Sequence, residues 1–156
     1  EEAVCRIPDT RYMHVVSCLD QMRVAREILA GEINYHAGNY DKAFDYLREA
    51  VKKEDALAYD EPWGWMMPSR HALGALLLDQ DYFEEAIDVY EADLGLNDEV
   101  IRANRHPNNV WALLGLHRCY MAIAQVNEAR LIKPQLDIAL ARADKGLYAS
   151  CFCAKS

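Results

Sequence analysis

The stretch from residue 68 to residue 90 constrains the fold more than any other part of the chain. Its first half is apolar on nearly every side, which predicts a helix buried all round. Its second half carries one apolar stripe at helical spacing, formed by Phe83, Ala86, Ile87, Tyr90 and Leu94. Because the small residues Gly74 and Ala86 stand twelve positions apart, we predict two antiparallel helices, residues 70–79 and 83–94, in close contact.

The same spacing occurs earlier in the chain, where twelve residues separate Gly31 from Ala43. Two copies of one helix hairpin are therefore predicted, and Gly38 is suited to the left-handed turn that ends the first helix. The interval from Gly31 to Gly74 is 43 residues, so a linker is inserted between the copies. Since this linker contains two tryptophans and two methionines, we expect residues 59–67 to be ordered and mostly buried.

A third hairpin is predicted to begin at Val110, after a cap provided by an asparagine. Pro134 falls inside its second helix, so the helix either kinks at Lys133 or gives way to a new helix at Pro134. A short helix after a cap at Asp9 or Thr10 is expected in the lead-in segment.

The whole chain is thus predicted to be all-α. Its parts are a lead-in segment (1–20), a first repeat (21–55), an aromatic linker with prolines (56–68), a second repeat (69–96), a connecting loop (97–109), a third repeat with a capping helix (110–143) and a tail with Cys-Phe-Cys (144–156).

The pattern of Leu73-Gly74, Ala86 and Tyr90, with Trp111, Leu114 and Gly115 in the third hairpin, resembles the tetratricopeptide repeat. Longer strings resemble the C-terminal region of a group of tetratricopeptide-repeat proteins of undefined function. They are Ala43-Phe-Asp-Tyr-Leu-Arg-Glu-Ala-Val51, Tyr59-Asp-Glu-Pro-Trp-Gly-Trp65, Arg70-His-Ala-Leu-Gly74, His106-Pro-Asn-Asn-Val-Trp111, Ala141-Arg-Ala-Asp144 and Ser150-Cys-Phe-Cys153.

The resemblance implies a short right-handed solenoid of stacked helix hairpins, with the first helix of each hairpin lining a concave face. With Gly31, Gly74 and Gly115 at the eighth repeat position, it implies a binding groove for an extended peptide or a helix. The groove residues would be Glu32, Tyr35, His36, His71, Asp79, Asn109, Cys119 and Tyr120. The alternative is that the chain's own linker or tail fills the groove.

Composition narrows the class of partner. The net charge of −8, with basic residues scattered along the chain, excludes a nucleic-acid surface. The longest apolar runs have seven residues, against roughly 20 for a membrane-spanning helix, so no membrane partner is expected. The opening Glu-Glu-Ala-Val-Cys has no initiator Met, so we expect an upstream part of a longer chain. The odd count of five cysteines favours a reducing, cytoplasmic location.

No catalytic motif is present in the sequence, and the leading hypothesis is a non-catalytic scaffold that binds a protein or peptide and needs no cofactor. An alternative is a zinc or copper site, or a reactive thiol. Its residues would be His71, His106, His117, Cys151 and Cys153. The simpler interpretation makes His71 and His117 hydrogen-bonded helix residues and the two cysteines small apolar packing residues near the terminus.

Overall fold

A computed structural model describes residues 2–144, 146–151 and 153–154, with side chains from Val4 onward. The predicted tail includes residues 145, 152, 155 and 156, which lie outside the described residues, as does residue 1 of the lead-in segment. The described chain is mostly α-helical, as predicted, and divides into two compact units, residues 1–69 and 70–156. None of its helices combines the length and the apolar character that crossing a bilayer requires.

The first unit opens with a short helix, α1 (Glu2–Cys5), and a small antiparallel hairpin of β1 (Tyr12–Met13) and β2 (Val16–Ser17). The prediction of a helix after Asp9 or Thr10 is therefore wrong. His14 has a positive φ of 55°, which reverses the chain between the two strands within two residues. The helix cap is instead Ser17, whose hydroxyl accepts a hydrogen bond from the backbone N–H of Asp20 at 3.4 Å.

The first predicted hairpin is confirmed as α2 (Cys18–His36) packed on α3 (Tyr40–Asp55). Gly38, with φ of 81°, provides the left-handed turn after α2. A Cβ atom at Gly31 would lie 2.7 Å from Leu47 Cγ, so the two helices approach too closely for any side chain there.

The linker prediction is wrong for most of its residues. Leu57 and Trp65 pack back against the buried cluster of Val24, Ile28 and Ala50, and both are partly buried. Four large apolar side chains remain exposed: Tyr59, Trp63, Met66 and Met67. The backbone of the linker is nevertheless held in place, since a Cβ at Gly64 would lie 2.7 Å from Val16 Cγ2 in the β-hairpin.

The second hairpin consists of α4 (Ser69–Asp79), of which residues 70–79 belong to the second unit, and α5 (Phe83–Leu94), as predicted. The backbone N–H of Tyr82 donates to the carbonyl of Leu77 at 3.0 Å and closes the turn. Helix α4 is buried from residue 71 to residue 77. Gly74 contacts α5 one turn beyond Ala86, because its missing side chain makes room for the ring of Tyr90.

The third hairpin consists of α6 (Val110–Ala122) and α7 (Val126–Leu140), with α6 packed between α5 and α7. Asn109 caps α6 as predicted, accepting a hydrogen bond from Trp111 N at 2.9 Å. Helix α7 continues through Pro134, so no new helix begins there. The buried side chains Ala129, Ile132 and Leu136 lie on both sides of the proline, and their packing offsets the backbone hydrogen bond that it removes.

Candidate functional site

The second unit contains a buried carboxylate between two histidines. His71 Nε2 lies 3.0 Å from Asp93 Oδ2, and His106 Nδ1 lies 2.7 Å from Asp93 Oδ1. All three residues are buried, and Asp93 has no exposed surface. We call this group the His-Asp-His cluster.

Local structure places each member of the cluster. His71 lies in the first turn of α4, and Asp93 lies in the last turn of α5, just before the left-handed Gly95. His106 comes from the connecting loop, where its backbone N–H donates to the carbonyl of Asp93 at 2.6 Å. The cluster therefore ties the start of one helix to the end of the next and to the loop that follows.

The electrostatics of Asp93 favour the ionised form. Burial alone would raise the pKa of this carboxyl, but hydrogen bonds and charge interactions with His106 and His71 outweigh burial and hold its pKa below the ordinary value. A buried carboxylate that accepts from two imidazoles is satisfied on both oxygens, which fits a structural or orienting role.

A second buried polar group adjoins the first through His71. The hydroxyls of Tyr90 and Ser150 are hydrogen-bonded to each other, and Ser150 Oγ donates to the backbone carbonyl of His71 at 3.1 Å. Burial raises the pKa of the Tyr90 phenol well above its ordinary value, so this hydroxyl is protonated at neutral pH. Its ring lies between Gly74 on α4 and Gly115 on α6. Cys119 on α6 is also buried, and burial raises the pKa of its thiol to about 12, which keeps it unreactive.

The described part of the tail is anchored next to these groups. Ala149 and Ser150 are buried, and Arg118 on α6 donates to the carbonyl of Tyr148. The next cysteine, Cys151, is joined to Cys153 in a disulfide, and both residues are half-buried. Because disulfide sulfurs are not thiolates, metal binding by this pair would require its reduction.

The structure brings part of the predicted metal set together. His71 and His106 are joined through Asp93, while His117 is half-buried on α6. Within the described residues, no histidine belongs to a group of three or more potential His, Cys, Asp or Glu ligand atoms lying within 4.8 Å of one another. The zinc or copper site stays a prediction, and it would require movement of the side chains.

The predicted groove residues differ in exposure. Four are buried: Tyr35, His71, Cys119 and Tyr120. Glu32 and Asn109 are half-buried, and the side chain of Asn109 is used as a helix cap. Only His36 and Asp79 are exposed. Tyr120 donates a hydrogen bond to Glu91 Oε1 at 2.5 Å, so its hydroxyl also has an internal partner.

Sequence reasoning missed Asp93, Tyr90 and Ser150 as members of one network. For Asp93 a signal was present, since it lies seven residues after Ala86 and three after Tyr90, on the apolar stripe of α5. A charged residue on such a stripe predicts a buried partner. The partner histidines are 22 and 13 residues away, so the pairing itself could not be read from local spacing.

In the first unit, the hairpin of β1 and β2 and the linker that packs on it both carry large exposed apolar side chains, and we call these two segments together the hairpin-linker face. Besides the contact between Gly64 and Val16, His14 Nδ1 lies 3.9 Å from Asp60 Oδ1. The large exposed side chains of this face are Tyr12, Met13, Val15, Tyr59, Trp63, Met66 and Met67. Met66 and Met67 are the most exposed of these, at 66% and 62%.

Comparison of the chain with protein-family models and with curated proteins finds no match in either set.

Proposed function

We propose that the chain is a non-catalytic helical scaffold of the tetratricopeptide-repeat type that binds a protein partner. The observation that carries this proposal is the hairpin-linker face, where seven large apolar side chains from two packed segments are exposed. Soluble proteins seldom expose contiguous apolar patches of more than a few hundred Å², and larger patches mark interaction sites.

The chemistry of the face indicates the kind of partner. Met13, Met66 and Met67 are flexible thioethers, and Tyr59 and Trp63 add aromatic surface with polar tips. Methionine-rich surfaces adapt to the apolar side of an amphipathic helix, and aromatic residues supply most of the binding energy of such interfaces. We therefore propose an amphipathic helix of a protein partner as the ligand.

We place the binding surface on the hairpin-linker face and not in the groove that the resemblance implies. Half of the groove residues are buried and make internal contacts, among them His71 with Asp93 and Tyr120 with Glu91. A cytoplasmic site of action belongs to the same proposal: Cys5, Cys18 and Cys119 are free thiols, and in a reducing compartment the disulfide between Cys151 and Cys153 would be present as two thiols.

Affinity selection from a library of amphipathic helical peptides tests the proposal. Peptides selected on the wild-type chain should lose about tenfold or more in affinity for a Met66→Ser, Met67→Ser double variant, since two apolar anchors are removed. The matched control is Leu131→Ser with Ile138→Ser, which removes two exposed apolar residues from α7. Failure to select any helix, or equal losses in both double variants, would contradict binding at this face.

A second candidate function is thiol chemistry or metal binding at the tail, and the disulfide between Cys151 and Cys153 favours it. Thiol–disulfide exchange would begin when a thiolate of a dithiol substrate attacks one sulfur, forming a mixed disulfide and releasing the other cysteine as a thiolate. The second substrate thiol then displaces the protein, so the substrate is oxidised to a disulfide and both cysteines are reduced. The reduced pair could bind zinc or copper, with the histidines as further ligands.

Mass spectrometry and elemental analysis separate these chemistries. Dithiothreitol should add two hydrogens to the wild-type chain and none to a Cys151→Ser, Cys153→Ser variant. Stoichiometric zinc or copper on the reduced chain, lost in the variant, would favour the metal site. A chain that is already fully reduced as purified and takes up no metal would remove this candidate.

A further inference from the structure

The described tail contacts the helices of the second unit in the way that a short peptide contacts a binding site. Arg118 on α6 donates a hydrogen bond to the backbone carbonyl of Tyr148. Two residues later, the Ser150 hydroxyl is hydrogen-bonded to the Tyr90 hydroxyl on α5 and donates to the backbone carbonyl of His71 on α4 at 3.1 Å. The alanine between Tyr148 and Ser150 is buried as well. Three helices thus hold one segment of the tail, residues 148–150.

The same segment lines a cavity of about 350 Å³ in the second unit. Helix α4 with the turn after it, the start of α5, and α6 supply most of the lining. The tail supplies Ala149, Ser150 and, beyond the two cysteines, Ala154. Release of the tail would therefore widen the opening of this cavity.

A disulfide follows the bound segment directly. Cys151, the residue after Ser150, is bonded to Cys153, and the backbone N–H of Ala154 donates to the carbonyl of Cys151 at 3.3 Å. This closed loop, residues 151–153, places Ala154 at the same cavity as Ser150. A cross-link restricts the tail when it is detached, so docking of the tail costs less conformational entropy. For so short a loop, the chain-entropy model gives about a tenfold shift of the equilibrium toward the docked tail.

The groups that hold the tail define what could replace it. When the tail leaves, Arg118 loses the carbonyl of Tyr148, and the Tyr90 hydroxyl loses the hydroxyl of Ser150. A replacing segment recovers both bonds only if it presents a backbone carbonyl and, two residues later, a serine hydroxyl. A site that hydrogen-bonds a hydroxyl discriminates against a ligand that lacks it.

We infer that residues 148–150 are the resident ligand of a peptide site on α4, α5 and α6, and that the disulfide between Cys151 and Cys153 is a redox latch on this ligand. The oxidised tail keeps the site occupied. Reduction weakens docking of the tail, and an extended segment of a partner protein with serine at the position of Ser150 then takes its place. This site is independent of the partner-binding face proposed in the first unit. The cysteine pair controls binding here and is not a catalyst.

Opening the latch requires a dithiol as reductant. One thiolate of the dithiol attacks a sulfur of the pair, which breaks the Cys151–Cys153 bond and releases the other cysteine as a thiolate. The second thiol of the reductant then displaces the protein from the mixed disulfide. The dithiol is oxidised to a disulfide, and its two electrons and two protons end on the two cysteines.

The probe that tests the inference is a capped peptide with the sequence of residues 146–151, carrying Cys151→Ser. It is titrated into the purified full chain and followed by nuclear magnetic resonance, which detects weak binding. The peptide should bind about tenfold more tightly to the chain reduced with dithiothreitol than to the oxidised chain. A peptide that also carries Ser150→Ala should bind the reduced chain about tenfold more weakly, because it cannot restore the bond to Tyr90.

Variants of the full chain separate the latch from the site. The Cys151→Ser, Cys153→Ser variant should bind the peptide as the reduced wild type does, with or without dithiothreitol. Ser150→Ala weakens the tail but leaves its site intact, so peptide affinity of the oxidised chain should rise severalfold. In that background, Arg118→Met should lower the affinity severalfold. The matched control is Arg130→Met, which removes an exposed arginine of α7 outside the cavity and should leave the affinity unchanged.

Hydrogen exchange provides a second measurement that does not depend on the peptide. Exchange of the backbone amides of residues 146–151 should accelerate about tenfold on reduction. Equal exchange, or equal peptide affinity, in the two redox states would overturn the latch. A reduced chain and a cysteine variant that both fail to bind the peptide would overturn the peptide site, as would equal binding of the serine and alanine peptides.

Discussion

The ring of Tyr90, held between two glycines, offers the sharpest test of the packing in the second unit. A Cβ atom at Gly115 would lie 2.2 Å from Tyr90 Cζ, and one at Gly74 would lie 2.5 Å from the same atom. These distances are far below van der Waals contact. Since Tyr90 is fully buried and its hydroxyl is hydrogen-bonded to Ser150, the ring cannot move aside freely.

Two opposing terms set the magnitude of a Gly115→Ala substitution. Alanine stabilises a helix interior by about 1 kcal/mol relative to glycine, whereas forcing an extra carbon into a packed core costs about 1–3 kcal/mol. Because the contact at Gly115 is the closer of the two, we expect Gly115→Ala to lower the free energy of unfolding by about 1–2 kcal/mol. Gly74→Ala should lower the free energy of unfolding by less than Gly115→Ala, whereas Gly74→Leu should lower it by several kcal/mol.

Urea denaturation of a double-mutant cycle with Tyr90→Leu isolates the contact from helix propensity. When leucine replaces the ring, Gly115→Ala should become neutral or stabilise by up to about 1 kcal/mol, so the coupling energy should be about 2 kcal/mol. Additive free energies would refute the reasoning, because they would mean that Gly115 and the Tyr90 ring do not share space.

Three further predictions concern the buried carboxylate, the tail and the linker. Asp93→Asn should lower the free energy of unfolding by about 2–4 kcal/mol in urea at pH 7, because it removes a charge that accepts from two imidazoles. Because the pKa of Asp93 is lowered in the folded state, the ionised carboxylate stabilises the fold fully above the ordinary Asp pKa of about 3.9, and this stabilisation is lost as the pH falls through the folded-state pKa. The free energies of unfolding of the wild type and of Asp93→Asn should therefore converge only in that acidic range. Ser150→Ala should accelerate hydrogen exchange over residues 146–151 through loss of its bonds to Tyr90 and His71, and unchanged exchange would mean that these bonds do not hold the tail. Among single-tryptophan variants, iodide should quench the fluorescence of Trp63 more strongly than that of Trp65, because Trp63 is 44% exposed and Trp65 packs on the core cluster. Equal quenching of the two would contradict this arrangement.

The helix hairpins were predictable because the information that specifies them is local. The stripe of Ala86, Ile87 and Tyr90 has the helical period, and each of these residues is buried. Gly38 and Asn109 were also predictable, since a left-handed turn and a helix cap depend on the residue type at one position. The equal spacings from Gly31 and Gly74 correspond to equal contacts, with a side chain sixteen residues later in both hairpins.

The linker is the segment for which the prediction of burial from composition is wrong. Its apolar residues predict burial because exposing them to water is unfavourable, yet a prediction from composition assumes that the chain has room in its own core. The cluster of Val24, Ile28 and Ala50 is covered by Leu57 and Trp65, and Met66 and Met67 remain in solvent. Only part of the apolar linker is therefore buried, and its exposed apolar side chains belong to the proposed binding face.

The His-Asp-His cluster could not be predicted as a unit, because its geometry depends on three separate pieces of local structure. The left-handed Gly95 ends α5 two residues after Asp93, and a Cβ there would lie 2.6 Å from Arg105 Cδ, so the returning loop packs on the glycine itself. Arg105 Nε then donates to the carbonyl of Val100 at 2.6 Å, which closes the loop and presents the next residue, His106, to Asp93. Each step is a contact between residues that no helical or strand period connects. The need of Asp93 for a partner was visible in the sequence, because a charged residue on an apolar helical stripe is buried only when it is paired.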